Sequence, residues 1–200
     1  MGKTCEYYFT PQSPFVYLGH ARLVEIAARH QASIILKPID FGKIMTAAGG
    51  VPLAKRAPQR QAYRLLELQR WSSYLNIPLN LHPASFPVPD GLAAKAIIAS
   101  QLAHGSTAAL EFAGAVMRAI WAEEKNIADP ETLTEIANGL GHEGKDLLKS
   151  AETASVQTEY DRCTAEAITA NMFGAPWYVV DGIGYWGQDR LEFVERALTD

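Results

Sequence analysis

The residues with most chemical potential sit towards the two ends of the chain. Ser13 stands directly before Pro14 in TPQSPFVYLG, where an apolar run gives way to helical spacing. Far downstream, Phe173-Gly174-Ala175-Pro176-Trp177 sets a proline just before a β-rich stretch. Tyr185-Trp186-Gly187-Gln188-Asp189-Arg190 then joins a second such stretch to a closing helix. A serine before proline at a helix start has two readings. As an N-cap it accepts a hydrogen bond from a first-turn N–H, with proline at the first helical position, and local sequence favours that role. As chemistry, its hydroxyl could donate to a thiolate brought from elsewhere, a charge that the helix dipole and unpaired N–H groups also favour. Gln188 and Asp189 carry the same ambiguity between helix caps and holders of a ligand's charged end.

Other reactive side chains form no recognisable constellation. Cys5 and Cys163 lie far apart, outside any CxxC pattern, and are read as a buried strand residue and a helix residue. His20, His30, His82, His104 and His142 lack metal-ligand spacing, so no metal is expected. Trp71 and Trp121 fall on apolar helical faces and are read as core or pocket wall. Lys55, Arg56 and Arg60 form either a solvated face or an anion clamp. Neither a Walker loop nor GxGxxG is present.

Composition narrows the classes. Of 200 residues, 48% are apolar and 20% charged, enough to bury a core, and the net charge of −4 argues against nucleic acid or an anionic membrane as partner. No stretch reaches the roughly 18 apolar residues of a membrane span. MGKTCEYYF has no signal-peptide pattern, so a reducing, cytoplasmic location is expected.

These residues need elements to position them. Cys5–Phe9 reads as a short buried strand, Pro14 to about His30 as a helix, and Ser33–Ile39 as a second strand, a βαβ unit with parallel strands. Ile44–Pro58 reads as a loop or broken helix, Arg60–Leu75 as a helix, and the proline-rich Asn76–Gly91 as irregular. Further helices are expected at about Leu92–His104, Thr107–Lys125, Asp129–Gly139 and Lys145–Asn171, the last broken near Ser150. Ala175–Gly182 and Ile183–Gly187 read as a hairpin through Asp181-Gly182, and Gln188–Leu198 as an amphipathic helix. The order β-α-β, helices, β-β-α is an α/β thioredoxin plan with a large helical insertion. Residues 1–40 and 172–200 would form the thioredoxin-like domain, and 41–171 the insertion.

In that plan the reactive group heads the first helix, where this chain has Ser13-Pro14-Phe15-Val16 and no cysteine, which excludes dithiol exchange there. Three motifs in order carry a more specific likeness: S-P-F-x-Y-L, then L-Q-R-W-x-x-x-L-x-I-P, then F-G-A-P-x-x-x-V-D-G-x-x-Y-W-G-Q-D-R-L. Together they resemble the 2-hydroxychromene-2-carboxylate isomerase family, related to kappa-class glutathione transferases and DsbA-like oxidoreductases.

The resemblance implies glutathione as cofactor, with Ser13 as catalytic residue facing its sulfur. Ala175, preceding a cis Pro176, would pair its backbone with the cysteinyl unit, and Trp186, Gly187, Gln188 and Asp189 would surround the γ-glutamyl end. Substrate-side candidates in the insertion are Lys43, Lys55, Arg56 and Ser85. The implied activity is cis-trans isomerisation of a small aromatic carboxylate by reversible thiolate addition, in a homodimer of aromatic catabolism. A kappa-like transferase or peroxidase consuming glutathione is the alternative, and a non-enzymatic binder with Ser13 as a mere cap is a third reading. The chain departs from the family where an acidic residue often precedes the serine: Thr10, Pro11 and Gln12 stand there instead.

Overall fold

A computed structural model describes residues 2–199. One mixed sheet has the strand order β2-β1-β3-β4. β1 (Thr4–Phe9) and β2 (Ser33–Pro38) run parallel, with α1 (Pro14–Arg29) as the crossover between them. β3 (Trp177–Val180) is antiparallel to β1 and β4 (Ile183–Trp186) is antiparallel to β3. The β3–β4 turn holds Asp181 at φ 50° and Gly182 at φ 78°, the pair of positive values that a tight hairpin demands. Between β2 and β3 lie α2 (Phe41–Ala47), α3 (Pro58–Leu75), α4 (Gly91–Ala122), α5 (Pro130–Gly139), α6 (Gly144–Ala151) and α7 (Ala154–Thr169); α8 (Leu191–Thr199) follows the sheet. This is the thioredoxin fold with a largely helical insertion, as the element order predicts.

The period-two alternation of β1 divides the core. Cys5, Tyr7 and Phe9 face α1 and α4, together with Tyr178 and Val180 of β3 and Leu191, Val194 and Leu198 of α8. Tyr8 faces the other way, into a smaller cluster of Ile44 from α2 and Cys163 and Ala167 from α7. A one-residue slip in β1 would send these aromatic rings to the wrong layers, so the pattern fixes register. The free edge of β2 is covered by Gln101 of α4, whose side chain accepts from the Leu36 N–H at 2.9 Å and donates to the Leu36 C=O at 3.2 Å.

Some boundaries differ from the sequence reading. The two helices expected between Leu92 and Lys125 are one element, α4, bent at Gly105 (φ 84°, ψ 175°). The stretch expected to begin as a loop at Ile44 is preceded by a short helix, because the Asp40 side chain caps it through the Lys43 N–H at 3.1 Å. The closing helix begins only at Leu191, after a 3-10 turn over Gln188–Arg190. Lys37, inside an otherwise apolar strand, is buried. Its Nζ meets Glu6 at 2.6 Å, Glu166 of α7 at 2.8 Å and the Tyr8 hydroxyl at 2.9 Å, a paired cation that ties α7 to the sheet.

Candidate active site at the start of the first helix

The parallel β1–β2 pair and the antiparallel β1–β3 pair bring several chain segments to one end of the sheet. β1 ends at Phe9 and leads through Thr10–Gln12 into α1. Tyr8 stands opposite Trp177, so Ala175 and Pro176 enter β3 beside that exit. Trp177 stands opposite Trp186, so β4 ends at the same place and runs on into Gly187. The Gly187 N–H donates to the Pro176 C=O at 2.9 Å, and the Ala175–Pro176 peptide is cis.

Ser13 is the N-cap of α1, in extended conformation, with Pro14 at the first helical position. Its hydroxyl oxygen accepts from the Val16 N–H at 3.4 Å, a long bond that leaves the hydroxyl hydrogen uncommitted. The first turn of α1 contains no acid, so its positive end is uncompensated. Among the described residues the Ala175 N–H and C=O take part in no turn, loop or cap hydrogen bond. Trp186 is half exposed and packs edge-on against Phe173, ring centroids 4.7 Å apart. Gly187 has φ 102°, and a Cβ there would strike the Asp189 carboxylate, so this bend needs glycine. Asp189 is exposed and pairs with Arg190 at 2.7 Å.

Gln188 is placed differently from its neighbours. It is buried, and its side-chain oxygen accepts from Arg22 of α1 at 3.1 Å. A Cβ on Gly19 would come within 2.6 Å of the Gln188 Cβ, so a bare helix face on α1 lets this turn dock. Gln188 therefore anchors the turn, and only its backbone is left for a ligand.

The substrate-side candidates are dispersed. Lys43 is exposed on α2, and its Nζ bonds Asp161 of α7 at 3.1 Å, with Asp40 at 3.9 Å. Lys55 is exposed in the short 3-10 turn Leu53–Lys55, and Arg56 donates through Nε to the Val51 C=O at 2.8 Å. Ser85 is half-buried in the proline-rich segment that leads to α4. Concavities beyond these segments involve none of the candidates: one, about 350 Å³, lies beside the stacked rings of His104 and His142.

Sequence reasoning missed Asp90. This buried residue at the head of α4 accepts from the Thr10 hydroxyl, from the Gln12 N–H at 3.2 Å and from the Gln12 side-chain amide at 3.1 Å. The acid absent from the residues before Ser13 is thus supplied from across the fold. Burial raises the Asp90 carboxyl above its ordinary value, while the Thr10 and Gln12 hydrogen bonds oppose that rise. The missing local acid was the available signal. Cys5 and Cys163 are free and have no solvent exposure, and burial pushes both thiols up to about 12. Neither is a nucleophile at neutral pH. Among the described residues no cluster of three or more His, Cys, Asp or Glu could hold a metal, and no helix is long and apolar enough to cross a membrane.

A thioredoxin fold whose first helix is headed by a serine beside a cis proline matches the DSBA-like thioredoxin domain over residues 4–199, and the chain belongs to that family. Within it, the chain belongs with the 2-hydroxychromene-2-carboxylate isomerases: it is 31% identical to the one from Sphingobium xenophagum over the full length of both. A solved 2-hydroxychromene-2-carboxylate isomerase superposes with a TM-score of 0.81 at 26% identity, covering 98% of this chain and 94% of that one. Glutathione S-transferase kappa 2 from Caenorhabditis elegans is 25% identical over 99% of this chain and 92% of its own. The protein is an enzyme of the isomerase type.

Proposed function

We propose that the protein is a glutathione-dependent cis-trans isomerase of a 2-hydroxychromene-2-carboxylate-type substrate, a small aromatic carboxylate of aromatic-compound degradation. The observation that carries the reading is the Ser13 hydroxyl at the uncompensated positive end of α1, where a thiolate from outside the chain is favoured and both native thiols are buried elsewhere. The surrounding residues fit the tripeptide. The unengaged Ala175 main chain offers a donor and an acceptor to an extended cysteinyl unit, in the manner of strand addition. Gly187 and Asp189, with Trp186 as an aromatic wall, offer a bend, a carboxylate and an apolar face to the γ-glutamyl end.

When bound, glutathione would supply the nucleophile, whose reversible addition to a conjugated double bond permits rotation about it. The chain's own work is to hold and orient. Ser13 donates its hydroxyl hydrogen to the sulfur and keeps it ionised, helped by the helix end. Asp90 fixes the Thr10–Gln12 turn that carries Ser13. Cations of the insertion, Lys43, Lys55 and Arg56 among them, with Ser85, meet the substrate. The relative named as a kappa glutathione transferase supports a second reading, in which the thiol is consumed; free-thiol titration during turnover separates the two. Cytoplasmic location and a homodimer belong to the same proposal. Free cysteines support the first. The exposed Tyr63, Leu66 and Tyr74 of α3 support the second.

Ser13→Ala is the direct test. It should cost about 1 kcal/mol of stability as a lost cap, but reduce the isomerisation rate on the order of a hundredfold or more. Full activity in a Ser13→Ala protein that still binds glutathione by calorimetry would overturn the reading.

A further inference from the structure

Among the arginines, Arg64 stands out. Arg29, Arg70, Arg118, Arg162, Arg190 and Arg196 each meet a carboxylate. Arg64, on α3, is half-buried and makes no hydrogen bond or ion pair among the described residues. Its guanidinium carbon lies 5.4 Å from the centroid of the Phe86 ring, which is itself held against buried Trp121 at 4.9 Å. The neighbouring charge is another cation, Arg56, and burial and that repulsion both weaken Arg64's hold on its proton. A partly desolvated guanidinium facing a second one is an unfavourable arrangement until an anion joins it.

Its position relates it to Ser13. Phe86 is four residues before Asp90, at most about 14 Å of extended chain, and Asp90 bonds Gln12, the residue next to Ser13. A planar guanidinium beside an aromatic face recognises a carboxylate attached to a conjugated or aromatic body.

We propose that Arg64, with Arg56 beside it and Phe86 as the apolar wall, forms the site that holds the carboxylate of the aromatic substrate. The assignment rests on the isomerase reading for the identity of that substrate. The carboxylate-plus-ring chemistry stands on the local geometry alone. Glutathione also carries carboxylates, so the test must separate the two sources.

Arg64→Gln and Arg64→Lys are compared with the wild type in three measurements. In steady-state isomerisation, Arg64→Gln should raise the KM for the aromatic carboxylate about ten- to a hundredfold. Arg64→Lys should fall between, because it keeps charge but loses the fork. By calorimetry, the glutathione Kd should stay within about twofold of wild type. Without glutathione, the wild type should bind cinnamate but not cinnamyl alcohol, and Arg64→Gln should lose cinnamate binding. The melting temperature of Arg64→Gln should not fall, since an unpaired charge is removed. An unchanged KM, a weakened glutathione Kd in place of a raised KM, a lowered melting temperature, or no difference between cinnamate and the alcohol would each overturn the assignment. Loss of the isomerase reading is seen separately, as wild type that binds cinnamate but takes up no glutathione.

Discussion

Asp90, Ser13 and Arg64 differ in how visible they are from the chain. Ser13 shows because its signal is local: a serine, a proline and a change of hydrophobic period within a few residues. Asp90 is about eighty positions from the turn it holds, and its only local signature is the Asp-Gly that opens α4. Arg64 looks like any other base of a polar helix, and only its missing partner distinguishes it. Asp90→Ala is expected to strand the Thr10 hydroxyl and the Gln12 N–H, losing about 1–3 kcal/mol in chemical denaturation, and to lower kcat through misplacement of Ser13. The pH dependence has a definite sign. A carboxyl raised in the folded state adds stability that is full below its unfolded pKa and is lost as pH rises through the folded one. The stability of wild type relative to Asp90→Asn should therefore fall as pH climbs from about 4 towards neutral.

Elements were legible wherever periodicity and end signals agreed. α1 has Pro14 at its start, β1 alternates cleanly, and Asp129 before Pro130 caps α5 through the Glu131 N–H at 3.1 Å. α2 was hidden because it is seven residues long and its cap, Asp40, follows directly on the strand. Lys37 was hidden because its acids lie 31 and 129 positions away. The contact of α1 with α4 has its own pH signature. His20 on α1 is buried, its Nε2 3.0 Å from the Leu110 C=O and its ring 5.9 Å from that of Tyr7; burial pushes the imidazole down to about 4. A base lowered in the fold contributes stability that is present above the unfolded value of 6.5 and is lost as pH falls towards 4. The full span corresponds to roughly 3 kcal/mol. Urea denaturation of His20→Leu between those pH values should show a slope flatter than wild type by up to one proton.

At the scale of the molecule, the sequence divides into a sheet unit and a helical insertion, but burial crosses that division. One cluster joins Cys5 and Tyr7 of β1 and Leu23 of α1 to Ile97, Phe112 and Trp121 of α4 and Leu147 of α6. Residues 41–171 are therefore expected to unfold together with the sheet. Far-ultraviolet circular dichroism and tryptophan fluorescence, which reports Trp121 as well as Trp177 and Trp186, should give one coincident denaturant midpoint. The extent of that shared burial was not legible in the sequence, because a helix that is apolar on one side does not announce what it will lie against. The same burial has a practical consequence. With both native sulfurs sealed in the interior, the folded surface offers maleimides nothing to label. One cysteine engineered at a chosen outer position would become a unique attachment point for a fluorophore or spin probe, without first stripping the background.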